Sequence, residues 1–248
     1  RQFWQFGVEL IGADNAAADA EIIMLAADML NTTGVTYDLN VGHLSFMKNL
    51  LKDLEPMVQR KVMAHLDKKD FDGLRNTLES MGKGDLGNSL VSLVECRDLE
   101  KAFAIAGTVP EEDRIRRTIE FLDTAKVNYS LNFGIARGLD YYTGMVFEGF
   151  AQNLGAENQI LGGGAYRLAH LFGGDDVASC GFAIGFDRVM VSLGDIPEKK
   201  DLVVAIVCTE EGRLHALRVA GMFRNSGIRT EMDLMERGLG AQLAHASR

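Results

Sequence analysis

The hydrophobic and polar positions in the first half of the chain predict two short strands and a long helical region. Residues 3–11 alternate as in a half-buried strand, whereas 19–30 place their apolar side chains on one face of a helix. Residues 35–41 alternate again, and helical periodicity then persists over 44–124. We interpret 55–124, which is rich in charge and broken by glycines, as a helical insertion.

The second half of the chain changes to a period of two and later to alternating strands and helices. Three strands joined by turns are predicted over 129–136, 145–151 and 159–162. A strand that runs directly into a helix is predicted over 181–193. After a short charged linker, a strand, a helix, a strand and a helix are predicted in turn over 202–207, 212–225, 227–234 and 239–247. This last order predicts a second, α/β domain with a parallel sheet.

Composition and charge narrow the classes of function. Hydrophobic residues make up 47% of the chain and charged residues 25%, which is typical of a packed protein and excludes intrinsic disorder. No run approaches the ~20 apolar residues that a membrane-spanning helix needs, and no signal peptide opens the chain, so we expect a cytoplasmic protein. The net charge of −9 disfavours a general electrostatic grip on nucleic acid or lipid, while leaving room for a local basic site. The histidines and cysteines lack the spacing of metal ligands, and no metal site is expected.

The first candidate site segment is the opening strand. Arg1, Phe3, Gln5, Gly7 and Glu9 project to one face of it. An arginine, an aromatic ring, an amide and a carboxylate make a poor core layer but a good wall for a polar, partly charged ligand. The alternative, a solvated face of an antiparallel sheet, stays open from this segment alone.

The second segment, residues 137–144, reads RGLDYYTG and lies between two predicted strands, where binding residues concentrate. Arg137 offers a planar fork of donors suited to phosphate or carboxylate, and Asp140 is placed to orient it. Because Tyr141 and Tyr142 are adjacent, they project to different sides, so one can be core while the other lines a pocket. A turn with a structural arginine–aspartate pair is the alternative.

Two glycine-containing strands complete the candidate site. Residues 162–164 are three glycines, which weaken a strand and mark close approach by a ligand or another backbone, with a sharp bulge as the alternative. The glycines match neither a P-loop nor a dinucleotide fingerprint. Gly181, Ala183 and Gly185 leave one strand face bare for a flat ring, which Arg188 could cap by cation–π stacking, or Arg188 could reach a phosphate.

In this order, the segments resemble those of the class II aminoacyl-tRNA synthetases, and specifically those of the histidyl-tRNA synthetase family. The second half of motif 2 is similar to RQFWQFGVELIGAD, and the signature loop of the family is similar to RGLDYYTGMVFE. The glycine-rich histidine motif is similar to LGGGAY, and motif 3 to GFAIGFDR. The unit from Asp201 resembles the start of the anticodon-binding domain of the family.

The resemblance implies an α+β fold, in which the class II antiparallel sheet with flanking helices and a helical insertion precedes the start of an α/β anticodon-binding domain. We expect the catalytic core over 1–54 and 125–194, the insertion over 55–124, a linker over 195–200 and part of the anticodon-binding domain over 201–248. It also implies that the chain begins within motif 2 and stops within the anticodon-binding domain. We therefore expect a fragment truncated at both ends.

The activity implied by the resemblance is that of a ligase. It activates histidine with ATP to histidyl-adenylate and transfers the histidyl group to tRNA(His), with Mg²⁺ arriving on the ATP phosphates. The full-length protein is expected to be a homodimer that binds no membrane, and the fragment itself is expected to be inactive or nearly so. The alternative is the non-catalytic, histidine-sensing regulatory subunit of ATP phosphoribosyltransferase. The intact Arg137 loop and the appended α/β unit argue against it.

The resemblance also carries roles to single residues. Arg137 is implied as the catalytic residue that stabilises charge at the α-phosphate. Histidine binding is implied for Gln5, Glu9, Tyr141, Tyr142, Gly163 and Tyr166. ATP binding is implied for Arg1, Phe3, Gly185 and Arg188, with Phe3 and Arg188 on either side of adenine. In many bacterial members the glycine-rich motif continues Arg-Tyr-Asp, whereas this chain has Ala165, Tyr166 and Arg167.

Overall fold

The chain folds into two units, residues 1–194 and 195–248, and each contains its own sheet. The computed structural model describes residues 2–135, 141–155, 158–195 and 202–247. Most of the predicted linker therefore lies outside the described residues. The predicted division of the first unit into a catalytic core and an insertion stays a prediction.

Six strands form the sheet of the first unit. They are β1 (Gln5–Ile11), β2 (Tyr37–His43), β3 (Ser130–Leu131), β4 (Tyr142–Ala151), β5 (Gln159–Tyr166) and β6 (Ser179–Gly185). Their order across the sheet is β1-β6-β5-β4-β2-β3, and every neighbouring pair is antiparallel except β2 and β3. A mostly antiparallel sheet with flanking helices confirms the α+β fold that the resemblance implies.

Eight α-helices accompany this sheet among the described residues. They are α1 (Ala16–Thr33), α2 (Leu44–Leu51), α3 (Pro56–Asp67), α4 (Phe71–Glu79), α5 (Gly84–Glu95), α6 (Leu99–Ala106), α7 (Glu112–Thr124) and α8 (Phe186–Leu193). Helix α1 begins earlier than predicted because the side chain of Asn15 accepts hydrogen bonds from the N–H groups of Ala17 and Ala18. It ends at Gly34, whose φ of 78° lies in the left-handed region.

One face of the sheet packs on α1 to form the first hydrophobic core. Phe147, Phe182 and Ile184 alternate along β4 and β6 and are buried in one cluster with Ile23 and Leu30 of α1. The rings of Phe147 and Phe182 meet edge to face, with centroids 6.3 Å apart. Because side chains alternate along a strand, the residues between these positions face away from α1.

The second core lies among helices α2 to α7. It explains why one predicted strand is wrong in extent. Of the described part of 129–136, Ser130–Leu131 alone pairs as a strand, in parallel with β2. Beyond it, the side chain of Asn132 accepts a hydrogen bond from the N–H of Gly134. Phe133 then packs on Phe46, with ring centroids 4.6 Å apart, so the segment leaves the sheet to join the helical core.

Strand β5 is longer than predicted. The alternation predicts a strand over 159–162, but β5 continues through all three glycines to Tyr166. Both of its edges are occupied, because β4 pairs with one side and β6 with the other. Backbone pairing on both sides, which is irregular at two points along β4, holds a segment that its side chains alone would not make extended.

The second unit contains β7 (Val203–Ile206), α9 (Arg213–Asn225), β8 (Arg229–Met232) and α10 (Leu239–Ala246). The two strands pair in parallel, as predicted. The buried amide of Gln242 accepts from the N–H of Cys208 at 3.0 Å and donates to its carbonyl oxygen at 3.1 Å, so a side chain continues the pairing beyond β7. In the described parts of both units, every helix falls short of the length and apolar content needed to cross a membrane.

The packing of β5 predicts that Gly163 tolerates no side chain. An alanine Cβ at this position would lie 2.5 Å from Cζ of Phe147 and 2.6 Å from the carbonyl oxygen of Gly181. We expect Gly163→Ala to lower the free energy of unfolding by about 1–3 kcal/mol in urea denaturation, because neither neighbour can move freely. Gly87→Ala on α5 is the control, since its Cβ would make ordinary contacts of 3.6 Å and longer. Equal stability of the two variants would contradict this packing.

Candidate functional site

Small residues form the face of the sheet that points away from α1. The register places Ala183 beside Gly162, and it places Gly181 between Glu9 and Gly164 in the next row. Because these positions carry little or no side chain, they leave space above β5 and β6. A cavity of about 650 Å³ opens there, with Gly162 and Ala183 in its lining.

The cavity brings together most of the residues predicted for the site. Its lining includes Phe3, Gln5, Tyr141, Tyr142, Gly163, Gly185 and Arg188. Glu9 and Tyr166 are absent from this lining. The carboxylate of Glu9 lies over Gly181, beside the ring of Tyr142 over Gly164, whereas Tyr166 lines a neighbouring cavity of about 100 Å³. Arg1 and Arg137, with the rest of the segment 136–140, lie outside the described residues.

Glu9 and Tyr166 form a hydrogen-bonded pair. The hydroxyl of Tyr166 donates to Oε2 of Glu9 at 2.7 Å. Burial and the neighbouring carboxylate raise the pKa of Tyr166 to about 12, so its hydroxyl is protonated at neutral pH and acts as the donor. A carboxylate has several lone pairs, and Glu9 therefore keeps acceptor capacity for an N–H of a ligand.

Two of the glycines make room for protein side chains. A Cβ on Gly181 would lie 1.8 Å from Oε2 of Glu9, and a Cβ on Gly164 would lie 2.9 Å from Cδ1 of Tyr142. Gly162 differs, because the nearest neighbour of its Cβ would be Nε2 of Gln159, at 3.2 Å. Gly164 and Gly181 thus let Tyr142 and Glu9 lie flat on the sheet, while Gly162 is part of the bare floor.

Tyr142 is held in a protonated state between the sheet and Tyr141. The two tyrosine rings have centroids 4.2 Å apart and are tilted by 43°. Burial raises the pKa of Tyr142, and its hydrogen bond with Tyr141 raises it further by a smaller amount. The predicted site therefore presents a neutral hydroxyl from Tyr142 beside the carboxylate of Glu9.

The opposite end of the cavity carries Phe3, whose side chain is 67% exposed. The backbone next to it is fixed, because the N–H of Phe186 donates to the carbonyl oxygen of Trp4 at 3.0 Å. The N–H of Trp4 donates in turn to Oδ2 of Asp187 at 3.0 Å. These bonds attach the segment that bears Phe3 to the first turn of α8, which bears Arg188.

Arg188 lies along the bare end of β6. A Cβ on Gly185 would contact Cδ of Arg188 at 3.7 Å, and Nη1 of Arg188 donates to the carbonyl oxygen of Gln159 at 2.6 Å. Glu148 also lines the cavity and accepts from Nε2 of Gln159 at 3.1 Å. Sequence reasoning missed Glu148, although a carboxylate inside the apolar run of β4 was a signal for it.

Lys48 of α2 supports the start of β4 and was also missed. Its Nζ donates to the carbonyl oxygens of Tyr142 at 3.1 Å and Thr143 at 3.4 Å. Partial burial lowers the pKa of Lys48, against the opposing effect of Glu111. No sequence signal could have found this contact, because a carbonyl acceptor belongs to every residue type.

A network of charged side chains lies at the Glu9 end of the sheet. Arg114 of α7 donates to Asp19 from Nε at 2.7 Å and from Nη2 at 2.9 Å, and Asp19 is fully buried. Nη1 of Arg114 donates to Oδ1 of Asp14 at 2.6 Å and to Glu111 at 3.4 Å. Oδ2 of Asp14 accepts from Arg167. The network joins residues that follow β1 and β5 to α1 and α7.

Comparison with known proteins gives a consistent set of relatives. A family model described as histidyl-tRNA synthetase matches residues 1–189. The histidine–tRNA ligase of Methanoregula boonei is 73% identical over the whole chain, and that of Methanoculleus marisnigri is 63% identical. The chain spans about 60% of the length of each of these relatives.

Two solved structures share the fold. Histidyl-tRNA synthetase from Nostoc sp. matches the whole chain and 64% of its own, with a TM-score of 0.74 at 18% identity. A Bacillus halodurans protein described as an ATP phosphoribosyltransferase regulatory subunit/histidyl-tRNA synthetase matches 98% of the chain and 66% of its own, with a TM-score of 0.71 at 23% identity. At these identities the two structures show the fold alone.

The charged network predicts a large effect of removing Arg114. Arg114→Met deletes both hydrogen bonds that the guanidinium donates to the buried Asp19. We expect the free energy of unfolding to fall by about 3–5 kcal/mol at neutral pH, because a buried carboxylate loses its charged partner. Arg75→Met is the control: Arg75 pairs with the exposed Asp72 at 3.9 Å, and its loss should cost less than about 0.5 kcal/mol.

The same variant predicts a dependence on pH. Burial raises the pKa of Asp19 and Arg114 opposes that rise, so the pKa rises further in Arg114→Met. Since the folded-state pKa then exceeds the unfolded one, the deficit is largest above the folded pKa and shrinks as the pH falls through it. Urea denaturation at several pH values measures the difference between the variant and the unsubstituted protein. A deficit that is independent of pH would contradict the burial of an unpaired carboxylate.

Proposed function

The chain belongs to the histidyl-tRNA synthetase family, and on that premise we propose that the protein containing it is a histidine–tRNA ligase. The proposed reaction joins histidine to ATP and then passes the histidyl group to tRNA(His). In the first step a carboxylate oxygen of histidine attacks the α-phosphorus of ATP, and pyrophosphate leaves. Because the chain spans about 60% of its relatives, this activity is assigned to the full-length protein.

The observation that carries the proposal is the arrangement of two chemically different ends on one glycine floor. In register, Gln5 stands beside Gly185 and Glu9 beside Gly181. Four residues along an antiparallel strand span about 13 Å, and Phe3 lies beyond Gln5, so the aromatic end lies more than about 13 Å from the carboxylate and hydroxyl end. This length accommodates a nucleotide and an amino acid placed end to end.

The end of the cavity with hydrogen-bonding groups suits the histidine side chain. Imidazole has one N–H donor and one acceptor nitrogen in its neutral form. Glu9, which already accepts from Tyr166, offers an acceptor for the N–H, and Tyr142 offers a hydroxyl for the other nitrogen. Gln5, nearer the middle of the cavity, is proposed to bind the α-amino group.

The other end suits ATP. Phe3 and Arg188 are proposed to hold adenine between them, with Gly185 leaving space beneath the ring. Arg137 is proposed to place its charge at the α-phosphate, where negative charge develops in the transition state. The step requires no proton transfer, and the task of the protein is to align the carboxylate with phosphorus and to stabilise charge. Mg²⁺ enters as part of the nucleotide substrate.

The remaining partners belong to the same proposal. tRNA(His) as acceptor, a homodimeric full-length protein and a cytoplasmic location all stay predictions. The alternative function, a histidine-sensing regulatory subunit, finds support only in the fold of the Bacillus halodurans protein, at 23% identity. Relatives at 73% and 63% identity are named ligases, and we therefore favour catalysis.

Histidine-dependent exchange of pyrophosphate into ATP tests the proposed activity. We expect the full-length protein to catalyse it and residues 1–248 alone to be inactive or nearly so. Arg137→Gln should lower kcat of the full-length protein by about 10²–10³, the usual cost of one preorganised donor. Arg60→Gln, on the exposed surface of α3, is the control and should leave exchange unchanged.

Three outcomes would count against parts of this scheme. No exchange by the full-length protein would refute ligase activity, and histidine binding without ATP binding would favour the regulatory alternative. Full exchange by residues 1–248 would show that the expected inactivity of this segment is wrong.

The two ends of the cavity predict separate effects on the two substrates. Phe3→Ala should raise the KM for ATP by about tenfold, because it removes one stacking partner of the base. Tyr166→Phe should raise the KM for histidine by about fivefold, because it removes a hydrogen bond that orients Glu9. Each variant should leave the other KM within about twofold, and exchange kinetics measure both. A proportional rise of both KM values in either variant would contradict the assignment of the ends.

A further inference from the structure

We propose that Asp14 and Arg167 are positioning residues that hold Tyr166 against Glu9, and that Arg114 anchors them to α7. This inference rests on the proposed function, because it takes Glu9 and Tyr166 as part of the histidine site. The three charged residues were absent from the site predicted from the sequence.

Glu9 and Tyr166 lie on two strands that are not neighbours in the sheet. Glu9 lies on β1 and Tyr166 ends β5, and β6 runs between these strands. Two strand spacings separate β1 from β5, which is about 9.5 Å. The hydrogen bond between Glu9 and Tyr166 therefore crosses over β6, where Gly181 leaves the space for it. No backbone ladder joins β1 directly to β5, so this contact depends on other links at the same end of the sheet.

Arg167 links the end of β5 to the neighbouring segments. Arg167 follows Tyr166 directly, at the point where the β5 ladder stops. Its guanidinium bonds the carboxylate of Asp14, which follows β1. It also donates to the carbonyl oxygen of Asp176 at 3.3 Å and lies 3.3 Å from Oδ2 of the same residue, just before β6. Arg167 thus fixes the end of β5 to the segments next to both other strands.

Asp14 lies between two guanidinium groups. Oδ1 accepts from Arg114 at 2.6 Å, and Oδ2 accepts from Arg167. Partial burial alone would raise the pKa of Asp14, but the two arginines together hold that pKa below its ordinary value. Asp14 is therefore a carboxylate at neutral pH and bonds both partners at once.

Arg114 anchors Asp14 to α1 and α7. Arg114 is fixed by its two hydrogen bonds to Asp19, at 2.7 Å and 2.9 Å, and Asp19 is buried in the first turn of α1. The path from α7 to Tyr166 therefore consists of direct contacts through Arg114, Asp14 and Arg167. Asp19 accepts two hydrogen bonds from Arg114, and the carboxylate of Asp14 is shared between Arg114 and Arg167. Displacement of one of these side chains therefore shifts the next.

The test is a double-mutant cycle in the full-length protein. We expect Asp14→Asn and Arg167→Gln each to raise the KM for histidine about three- to fivefold in pyrophosphate exchange, no more than Tyr166→Phe does, with the KM for ATP and kcat within about twofold. The double variant should match either single variant, because both break the same link. Arg167→Lys, which keeps the positive charge, should raise the KM for histidine less than Arg167→Gln does. Asp72→Asn, in the exposed pair with Arg75, is the matched control and should change neither KM.

Several results would overturn the proposal. An unchanged KM for histidine, or additive effects in the double variant, is incompatible with the proposal. A rise of both KM values together with a fall in Tm would indicate a purely structural role. If the unsubstituted full-length protein shows no exchange, the proposed function fails. The crystal structure of Asp14→Asn then decides the positioning role separately. Displacement of the Tyr166 hydroxyl from Glu9 would support it, and an intact hydrogen bond would overturn it.

Discussion

The candidate site depends on one constraint, which is the alternation of large and small side chains along β6. Phe182 and Ile184 face the core, while Gly181, Ala183 and Gly185 face the side of the sheet that carries Glu9 and the cavity. A slip of one residue in register would exchange the two faces, with aromatic rings in the cavity and glycines against α1. The burial of apolar surface against α1 therefore fixes the register, and the register in turn leaves the floor of the cavity bare.

The same alternation explains which parts of the fold were predictable. Strands β1, β2 and β4 and the strand–helix junction at β6 lie close to where the period of two places them. The ends were not predictable where a partner outside the segment decides them. The glycines of β5 lower its own preference for a strand, yet its two neighbours extend it to Tyr166. Phe133 has the right spacing for a strand, but its ring packs on that of Phe46 in the helical core.

Within the site, sequence reasoning found the residues that share one strand face and missed those that act through distant pairing. Gln5 and Glu9 were predictable because polar side chains at period two cannot form a core layer. Arg114 and Asp19 are 95 positions apart, and their pairing follows from the packing of α7 on α1 and from no local pattern. Gly163 was predicted for the histidine site. A side chain at this position would point at Phe147 in the core, and Gly163 lines the cavity through its backbone.

The glycine-rich motif shows how a site can keep one residue while its supports change. Where many bacterial members of the family continue with Arg-Tyr-Asp, this chain has Ala165 and Arg167 around Tyr166. Ala165 is buried on the core side, where an arginine would bring a charge into the cluster on α1. Arg167 lies between the carboxylates of Asp14 and Asp176, and an aspartate there would add a third negative charge. The two departures thus agree with their neighbours in this fold. The tyrosine between them, which touches Glu9, is the part of the motif that the proposed chemistry requires.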